Sequence, residues 1–208
     1  MTTPIPLRCT CGDVRARIDH EPAAARRVVC YCDDCQAFMR HLGREDGLDV
    51  HGGTDILQVW PARMKLLAGA DRVRCLRLSP KGMYRFHTAC CSTPIGNTLP
   101  TSRSPWIGVP MLFVDVEATA STRDALFGPP VDRPFGAFAI GGRPEGADAK
   151  ISPGLLARSL VFLGRGLVNG ETRPSPFVDP AGGAPLAHPV VLPASERERL
   201  RSLGPSRS

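Results

Sequence analysis

The sequence of 208 residues lacks the features that mark several classes of protein. It has no GxGxxG or Walker-type loop, so nothing in it supports a nucleotide site. Its most apolar stretch, LLARSLVFLGRGLV, is interrupted by Arg158 and Arg165, so it does not have the pattern of a membrane span. The N-terminal residues MTTPIPLRCTCG have neither a basic leader nor an apolar run of signal-peptide length. We therefore expect a folded cytoplasmic protein with no membrane partner.

A dense block of positive charge is also absent. The net charge is +6, but the arginines are scattered singly and in pairs, and aromatic residues make up only 6% of the chain. A basic surface of this kind is more often a solvated, arginine-rich surface than a nucleic-acid site. We therefore expect no nucleic-acid partner.

Cysteine is plentiful, with eight residues, and all of them lie before position 92. Without a secretion signal the thiols should stay reduced and available to a metal. They fall into three groups and one single residue: Cys9 and Cys11; Cys30, Cys32 and Cys35; Cys90 and Cys91; and Cys75 alone. Zinc sites combine short ligand pairs from different parts of a fold, so the first and third groups can form one site and the middle trio a second. Cys75, in the alternating stretch VRCLRL, is expected in the core.

The first part of the chain, residues 1–118, has the pattern of a mainly β domain. Asp13 to Ile18 alternate polar and apolar residues, as a half-buried strand does. Turn-forming Gly, Pro and Asp bound the other predicted strands, which are residues 55–60, 73–78, 83–87 and 107–116. The stretch QAFMRHLG after Cys35 predicts one short helical turn.

The second part, residues 119–208, predicts a Pro/Gly-rich extension with one or two helices packed on the domain. Ser152 and Pro153 offer an N-cap and a first-turn proline for a helix that runs to about residue 169. Four leucines share one face of this helix and are expected to pack against the β part: Leu156, Leu160, Leu163 and Leu167. Ser195 and Glu198 are spaced as a capping box for a last helix.

Three ordered motifs carry a resemblance to a known family. RCTCG at 8–12, CYCDDC at 30–35 and FHTACCSTPI at 86–95 resemble the motifs of the glutathione-dependent formaldehyde-activating enzyme family, which includes centromere protein V. The resemblance spans about residues 7–116. It implies a β-tent fold with two zinc ions and a carbon–sulfur lyase-type activity on a glutathione adduct.

The resemblance also implies roles for individual cysteines. Cys9, Cys11 and Cys91 would be structural zinc ligands, and the middle trio, Cys30, Cys32 and Cys35, would hold a second zinc with an open position. Thr88 stands where the family has the remaining structural cysteine, so we expect Cys90 to replace it, with His87 as the second choice. Two further departures are Tyr31, where the family has histidine, and Ser92, where it has glycine.

The chemistry of the trio points in the same direction. Three thiolates on Zn²⁺ leave a net charge near −1, which weakens the acidification of a bound water and makes hydrolysis a poor fit. A sulfur-rich zinc suits one more sulfur ligand, such as a substrate thiol. Arg85, Lys81 and Arg40 are candidates to balance the charge, although each alone is more often an ordinary surface cation. Asp33 and Asp34 can be hydrogen-bond acceptors for the ligands or simply turn residues.

Three functions are compatible with these motifs. The first is a zinc-dependent carbon–sulfur lyase-type enzyme that acts on an adduct of glutathione, or another small thiol, with a small carbonyl such as formaldehyde. The second is a non-catalytic zinc module that binds a protein or nucleic-acid partner. The third is a redox or metal-buffering site. An open trio favours the enzyme, whereas a trio closed by His41, His51 or the extension favours the module.

Overall fold

The computed structural model of the chain describes residues 3–21, 25–119, 121–179 and 183–203. Strands dominate this part of the chain, which confirms the prediction of a mainly β fold with a partly helical C-terminal portion. In chain order the strands are β1 (Thr3–Arg8), β2 (Arg15–His20), β3 (Ala25–Cys30), β4 (Thr54–Val59), β5 (Met64–Ala68), β6 (Val73–Arg77), β7 (Tyr84–Thr88), β8 (Pro94–Thr98), β9 (Ile107–Pro110) and β10 (Pro189–Val191).

The strands form two sheets. One has the order β1-β2-β5, and the larger one has the order β10-β6-β7-β8-β9-β4-β3. Neighbouring strands are antiparallel except β10, which lies parallel to β6. The five predicted strands correspond to β2, β4, β6, β7 and β9. The last of these ends at Pro110 rather than at residue 116, because the chain turns into a 3₁₀ helix over Met111–Phe113.

The main core lies between the two sheets. Strand residues that alternate inward, such as Ile5, Leu7, Ala16 and Ile18, meet the inner face of the larger sheet, as the period of two requires. Phe86 and Phe113 are completely buried there. Cys75 also lies in this core, as expected for a cysteine without a ligand-spaced neighbour.

Four helices cover the sheets in the described part of the chain: α1 (Asp33–Leu42), α2 (Arg123–Phe127), α3 (Pro153–Val168) and α4 (Ala194–Ser202). Helix α1, which carries Cys35, is longer than the single turn that the sequence predicts. It begins at Asp33, directly after Cys32, and ends at Leu42, and its C-cap Gly43 has a φ of 64° that suits glycine.

The C-terminal half shares the core of the β part. The ring of Phe177 stacks on that of Phe86, with centroids 4.2 Å apart and an interplanar angle of 6°. Gly96 in β8 makes this approach possible, since a Cβ atom there would lie 2.4 Å from the Phe177 ring. Asp132, also buried, accepts hydrogen bonds from Arg26, at 2.6 Å, and from Arg158 of α3. The division of the chain at residue 118 stays a prediction, but residues on both sides of it build one core.

Helix α3 has the predicted start, with the Ser152 side chain accepting a hydrogen bond from the Leu155 amide. The predicted buried face is wrong for three of its four leucines, because Leu156, Leu160 and Leu167 are each more than half exposed, whereas Leu163 is partly buried against Trp60 and Phe162. The face that packs carries Leu155, Phe162 and Gly166 instead.

The reason for the different face is Trp60. Its indole stacks on Phe162 at 5.3 Å and donates a hydrogen bond to the Phe162 carbonyl. A Cβ atom at Gly166 would lie 2.9 Å from the indole, so the glycine lets the helix approach this closely. The spacing of the leucines therefore does not predict the packed face of α3, because the deciding contact is made by a glycine.

The capping box predicted at Ser195 and Glu198 is also wrong. Helix α4 begins at Ala194 with Pro193 as its N-cap, and no side chain caps it. The Arg197 amide already donates to the Pro193 carbonyl, which places Ser195 inside the first turn. No helix in the described part of the chain combines the length and the apolar character needed to cross a bilayer.

Candidate metal centres and an adjoining cleft

The first cysteine cluster joins two turns from distant parts of the sequence. Cys9 and Cys11 follow β1, and Cys90 and Cys91 lie in the turn between β7 and β8. The four sulfurs all lie within 4.8 Å of one another. The separation is 3.5 Å between Cys9 and Cys11, 3.9 Å between Cys9 and Cys90, and 3.8 Å between Cys90 and Cys91. We call this cluster the quartet.

These separations fit a metal ion. Four sulfurs at about 2.3 Å from a tetrahedral zinc are about 3.8 Å apart, because a tetrahedron edge is about 1.6 times the centre-to-corner distance. The observed values bracket this length. All four ligand atoms are sulfurs, which suit a soft divalent ion, and Cys9 is buried. The quartet can therefore hold a metal ion.

The turn that carries Cys90 and Cys91 is shaped by its neighbours. Ser92 has a φ of 53°, in the left-handed region where glycine is usual. The hydroxyls of Thr88 and Thr93 lie 3.4 and 3.2 Å from the Cys91 sulfur. Burial raises the pKa of Cys91, but these hydroxyls and the neighbouring Cys11 outweigh it and hold the pKa at about 5. The turn thus favours a thiolate.

Arg44 covers the quartet from outside. Its Nη1 donates hydrogen bonds to the hydroxyls of Thr10 and Thr93, at 2.9 and 3.0 Å, and to the Cys91 carbonyl at 3.4 Å. Arg44 also pairs with Asp46 at 2.8 Å, so its positive charge is shared between that carboxylate and the thiolates of the quartet. Sequence reasoning missed Arg44 because it lies far along the chain from both cysteine pairs.

Between the two choices for the fourth ligand, the structure brings Cys90 into the quartet and leaves His87 outside it. The His87 ring lies edge-on to Phe38 of α1, with centroids 6.3 Å apart. Its Nδ1 is buried and has no hydrogen-bond partner among the described residues. Burial, with the nearby His41, lowers the pKa of His87 to about 4.

The second cluster is the trio. Cys30 ends β3, Cys32 is the N-cap of α1 and Cys35 lies in its first turn. The Cys32 sulfur accepts a hydrogen bond from the Cys35 amide at 3.3 Å, so it takes the role that serine or aspartate has in other helices. The Cys30 and Cys35 sulfurs are 3.7 Å apart, and all three lie within 4.8 Å of one another. This spacing also fits a metal ion.

No fourth ligand atom from Cys, His, Asp or Glu joins the trio within the described ranges. His51, one of the residues considered for closing it, places its Nδ1 3.0 Å from the Ile140 carbonyl instead. The trio thus differs from the quartet in offering three protein sulfurs.

Arg85 is the cation beside the trio. It is only 2% exposed, and its Nη1 lies 3.9 Å from the Cys35 sulfur. The hydrogen bonds from Cys30 and Cys32, with the charge of Arg85, hold the pKa of Cys35 well below its ordinary value despite burial. The reading of Arg85 as an ordinary surface cation is therefore wrong.

The other two candidate cations do not face the trio. Arg40 donates hydrogen bonds to the Leu200 carbonyl and to Gln36, and Lys81 is exposed. Strand alternation explains why Arg85 differs from them: Phe86 faces the main core, so Arg85 faces the opposite side of the sheet, where α1 packs.

The two aspartates between the trio's cysteines hold the last helix. Asp34 accepts hydrogen bonds from Arg201 at 2.7 Å and from Arg197 at 3.4 Å, and Asp33 pairs with Arg201 at 3.1 Å. Tyr31 is buried, and its hydroxyl donates to Asp49 at 3.2 Å. The side chain between Cys30 and Cys32 is therefore engaged in packing.

A cleft of about 510 Å³ opens beside the trio, and all three cysteines line it. Its floor is the outer face of the large sheet, and its walls come from α3 and from the segment around Phe135. The backbone of this segment is fixed to β3, since the Tyr31 amide donates to the Pro134 carbonyl at 3.1 Å. Volumes of about 300–1,000 Å³ are typical of small-molecule sites.

Fold and site together define a mainly β protein with two cysteine clusters that are compatible with metal binding. The chain belongs to a family of unknown function, DUF6151, whose model matches residues 1–189. It is similar to the crystal structure of a Rhodobacter sphaeroides protein, with 16% identity and a TM-score of 0.39, over 61% of this chain and 97% of that chain. No curated protein matches it.

Sequence reasoning located the cysteines but missed the residues around the cleft. Asn97 and Trp106 lie in stretches with no ligand-like spacing, and Phe135 lies in a Pro/Gly-rich segment. One feature of the sequence points to Asn97. The stretch PIGNT, which forms the fully buried strand β8, contains an amide side chain, and amides are uncommon in buried strands.

Proposed function

We propose that this chain is a zinc-dependent carbon–sulfur lyase-type enzyme, which acts on the adduct of a small thiol, such as glutathione, with a small carbonyl such as formaldehyde. The observation that carries the proposal is the trio, which offers three sulfurs and lies against a cleft with Arg85 beside it. The resemblance of the three cysteine motifs to the formaldehyde-activating family supports the same reaction class.

In this proposal the two clusters have different roles. Cys9, Cys11, Cys90 and Cys91 would hold a structural zinc, because four thiolates complete its coordination. Cys30, Cys32 and Cys35 would hold the second zinc. When bound there, the ion would act as a Lewis acid and favour the thiolate form of a substrate thiol.

The reaction itself is the reversible cleavage of a hemithioacetal. The carbon–sulfur bond breaks, its electron pair stays with the sulfur, the hydroxyl proton leaves to water and the carbonyl double bond forms. In reverse, the thiolate adds to the carbonyl carbon. Arg85 places a buried positive charge beside the cluster and so favours the negative sulfur. The wall around Phe135 is largely apolar.

A measurement of exchange tests this proposal. Magnetisation exchange by NMR between formaldehyde hydrate and its hemithioacetal with 2-sulfanylethanol or glutathione gives the rate of cleavage. We expect catalytic amounts of protein to accelerate the exchange, Cys32→Ser to abolish the acceleration, and Cys75→Ser, a buried cysteine outside both clusters, to keep it.

Two results would count against the enzyme. One is an unchanged exchange rate with every thiol, and the other is equal acceleration by Cys32→Ser and the native protein. If no thiol shows a faster exchange but zinc still stabilises the fold, the non-catalytic zinc module is the better description of this protein.

A further inference from the structure

A row of polar side chains crosses the floor of the cleft. Arg85 of β7 pairs with Asn97 of β8, Asn97 pairs with Gly108 of β9, and Gly108 pairs with Gln58 of β4. Residues opposite each other in antiparallel strands share a face of the sheet. Arg85, Asn97 and Gln58 all line the cleft, so the row places two neutral amides beside the cation that lies against Cys35.

The gap in the row at Gly108 is filled by an indole. A Cβ atom at this position would lie 2.7 Å from the Trp106 ring, so the glycine allows the indole to approach the sheet this closely. Trp106 lines the cleft together with the amides. The floor therefore offers an aromatic surface beside hydrogen-bonding groups.

Two polar atoms on this floor lack a partner within the described residues. They are the Oδ1 of Asn97, whose side chain is only 3% exposed, and the Nε1 of Trp106. A buried polar group without a partner costs free energy, and it is usually satisfied by water or a ligand. Both residues line the same cleft, so one unpaired acceptor and one unpaired donor lie at its floor, which matches a neutral group such as an amide.

The charged groups of the cleft are already engaged. Asp33 and Asp34 pair with arginines of α4, and Arg85 lies against Cys35. The rest of the lining is largely apolar and includes Ile56, Met83, Phe135 and Leu155. Glutathione carries two carboxylates and an ammonium group, and transferring these to such a lining is unfavourable without partners.

We infer that the cleft selects a thiol with an apolar, preferably aromatic, body and a neutral hydrogen-bonding group such as an amide, in preference to a charged peptide thiol such as glutathione. The thiol part of this inference rests on the proposed function. Recognition of the body does not, because it depends on Asn97 and Trp106 rather than on the trio.

Isothermal titration calorimetry with three probes tests the inference: N-(2-sulfanylethyl)benzamide, its thiol-free analogue N-ethylbenzamide, and glutathione. We expect the benzamide thiol to bind at least tenfold more tightly than glutathione. Asn97→Leu should weaken both benzamides by about five- to tenfold, the effect of one lost hydrogen bond. The melting temperature without ligand should stay equal or rise, since the variant removes an unpaired buried acceptor.

Two further variants complete the design. Trp106→Phe keeps an aromatic ring but removes the donor, so it should also weaken both benzamides and gives a second arm if Asn97→Leu folds poorly. Thr98→Val is the matched control, because Thr98 is the neighbouring buried residue of β8 and lines a different cavity. It should leave all three affinities unchanged.

The outcomes separate the inference from the proposed function. Binding of glutathione as tight as that of the benzamide thiol, or affinities insensitive to both Asn97→Leu and Trp106→Phe, would overturn the inference while leaving thiol chemistry intact. Binding of N-ethylbenzamide that depends on Asn97, with no acceleration of exchange by any thiol, would support recognition of the body and refute both the lyase and the thiol part of the inference.

Discussion

The contact between Gly96 and Phe177 allows a quantitative test of how the C-terminal half is held. Phe177→Ala removes a fully buried ring that stacks on Phe86, a change that typically costs about 3–5 kcal/mol. Gly96→Ala adds a methyl group 2.4 Å from the same ring, which is overpacking and should cost about 1–3 kcal/mol. The nearest atom outside that ring belongs to Ile107 and would lie 3.4 Å from the added methyl group, so the clash involves Phe177 almost alone.

The double variant should therefore be more stable than the sum of the single effects predicts. With the ring gone, the methyl group of Gly96→Ala enters the cavity, and we expect a favourable coupling of at least about 1 kcal/mol. Equilibrium unfolding in urea of the metal-loaded, reduced protein measures the four free energies. Phe138→Ala, at a half-exposed phenylalanine of the same extension, is the control and should cost less than about 1 kcal/mol.

The result that would refute this reasoning is strict additivity of the two changes. A loss below about 1 kcal/mol for Phe177→Ala would also refute it, because a buried, stacked phenylalanine in one shared core cannot be removed at so small a cost.

Three more predictions follow from the clusters and from His87. Purified, reduced protein should carry two zinc ions per chain by elemental analysis, and a ratio of one or none contradicts the two-cluster assignment. Cys11→Ser should give insoluble or molten protein, because structural zinc binding is folding free energy, whereas cooperative melting with full zinc content would argue against this. Burial lowers the pKa of His87 to about 4, so the unfolded chain binds a proton that the folded protein rejects, and stability falls as pH drops from about 6.5 towards 4. When the pH falls from 7 to 5.5, the free energy of unfolding of His87→Gln, measured in urea, should decrease by about 1 kcal/mol less than that of the native protein. Equal decreases would refute the conclusion that His87 is buried in its neutral form.

The sequence predicted the features that depend on local spacing. Cysteine pairs one to three residues apart identified both clusters, and alternation identified five strands. The position of Arg85 was not predictable in this way, because which face of β7 it occupies follows from Phe86 entering the core. The packed face of α3 was mispredicted for a related reason: the deciding contact is between Gly166 and Trp60, 106 positions apart along the numbering, and a glycine adds nothing to a hydrophobic pattern.

The cleft was the least predictable feature. Its floor requires the order of β7, β8, β9 and β4 in the sheet, which brings Arg85, Asn97 and Gln58 into one row. One wall comes from a Pro/Gly-rich segment without periodicity, and Phe135 within it takes a φ of 66°, which no pattern indicates for an aromatic residue.

The ion pairs between α1 and α4 join residues that the ribosome adds to the chain at widely separated times. All four cysteines of the quartet have been added to the chain by residue 91, whereas Arg201 follows Asp34 by 167 positions. At about 5–20 residues per second, translation needs roughly 8 to 33 seconds to cover that interval. A nascent chain therefore contains all four quartet cysteines well before α4 has been synthesised. Until then, the two aspartates at the start of the helix that carries Cys35 lack their arginine partners.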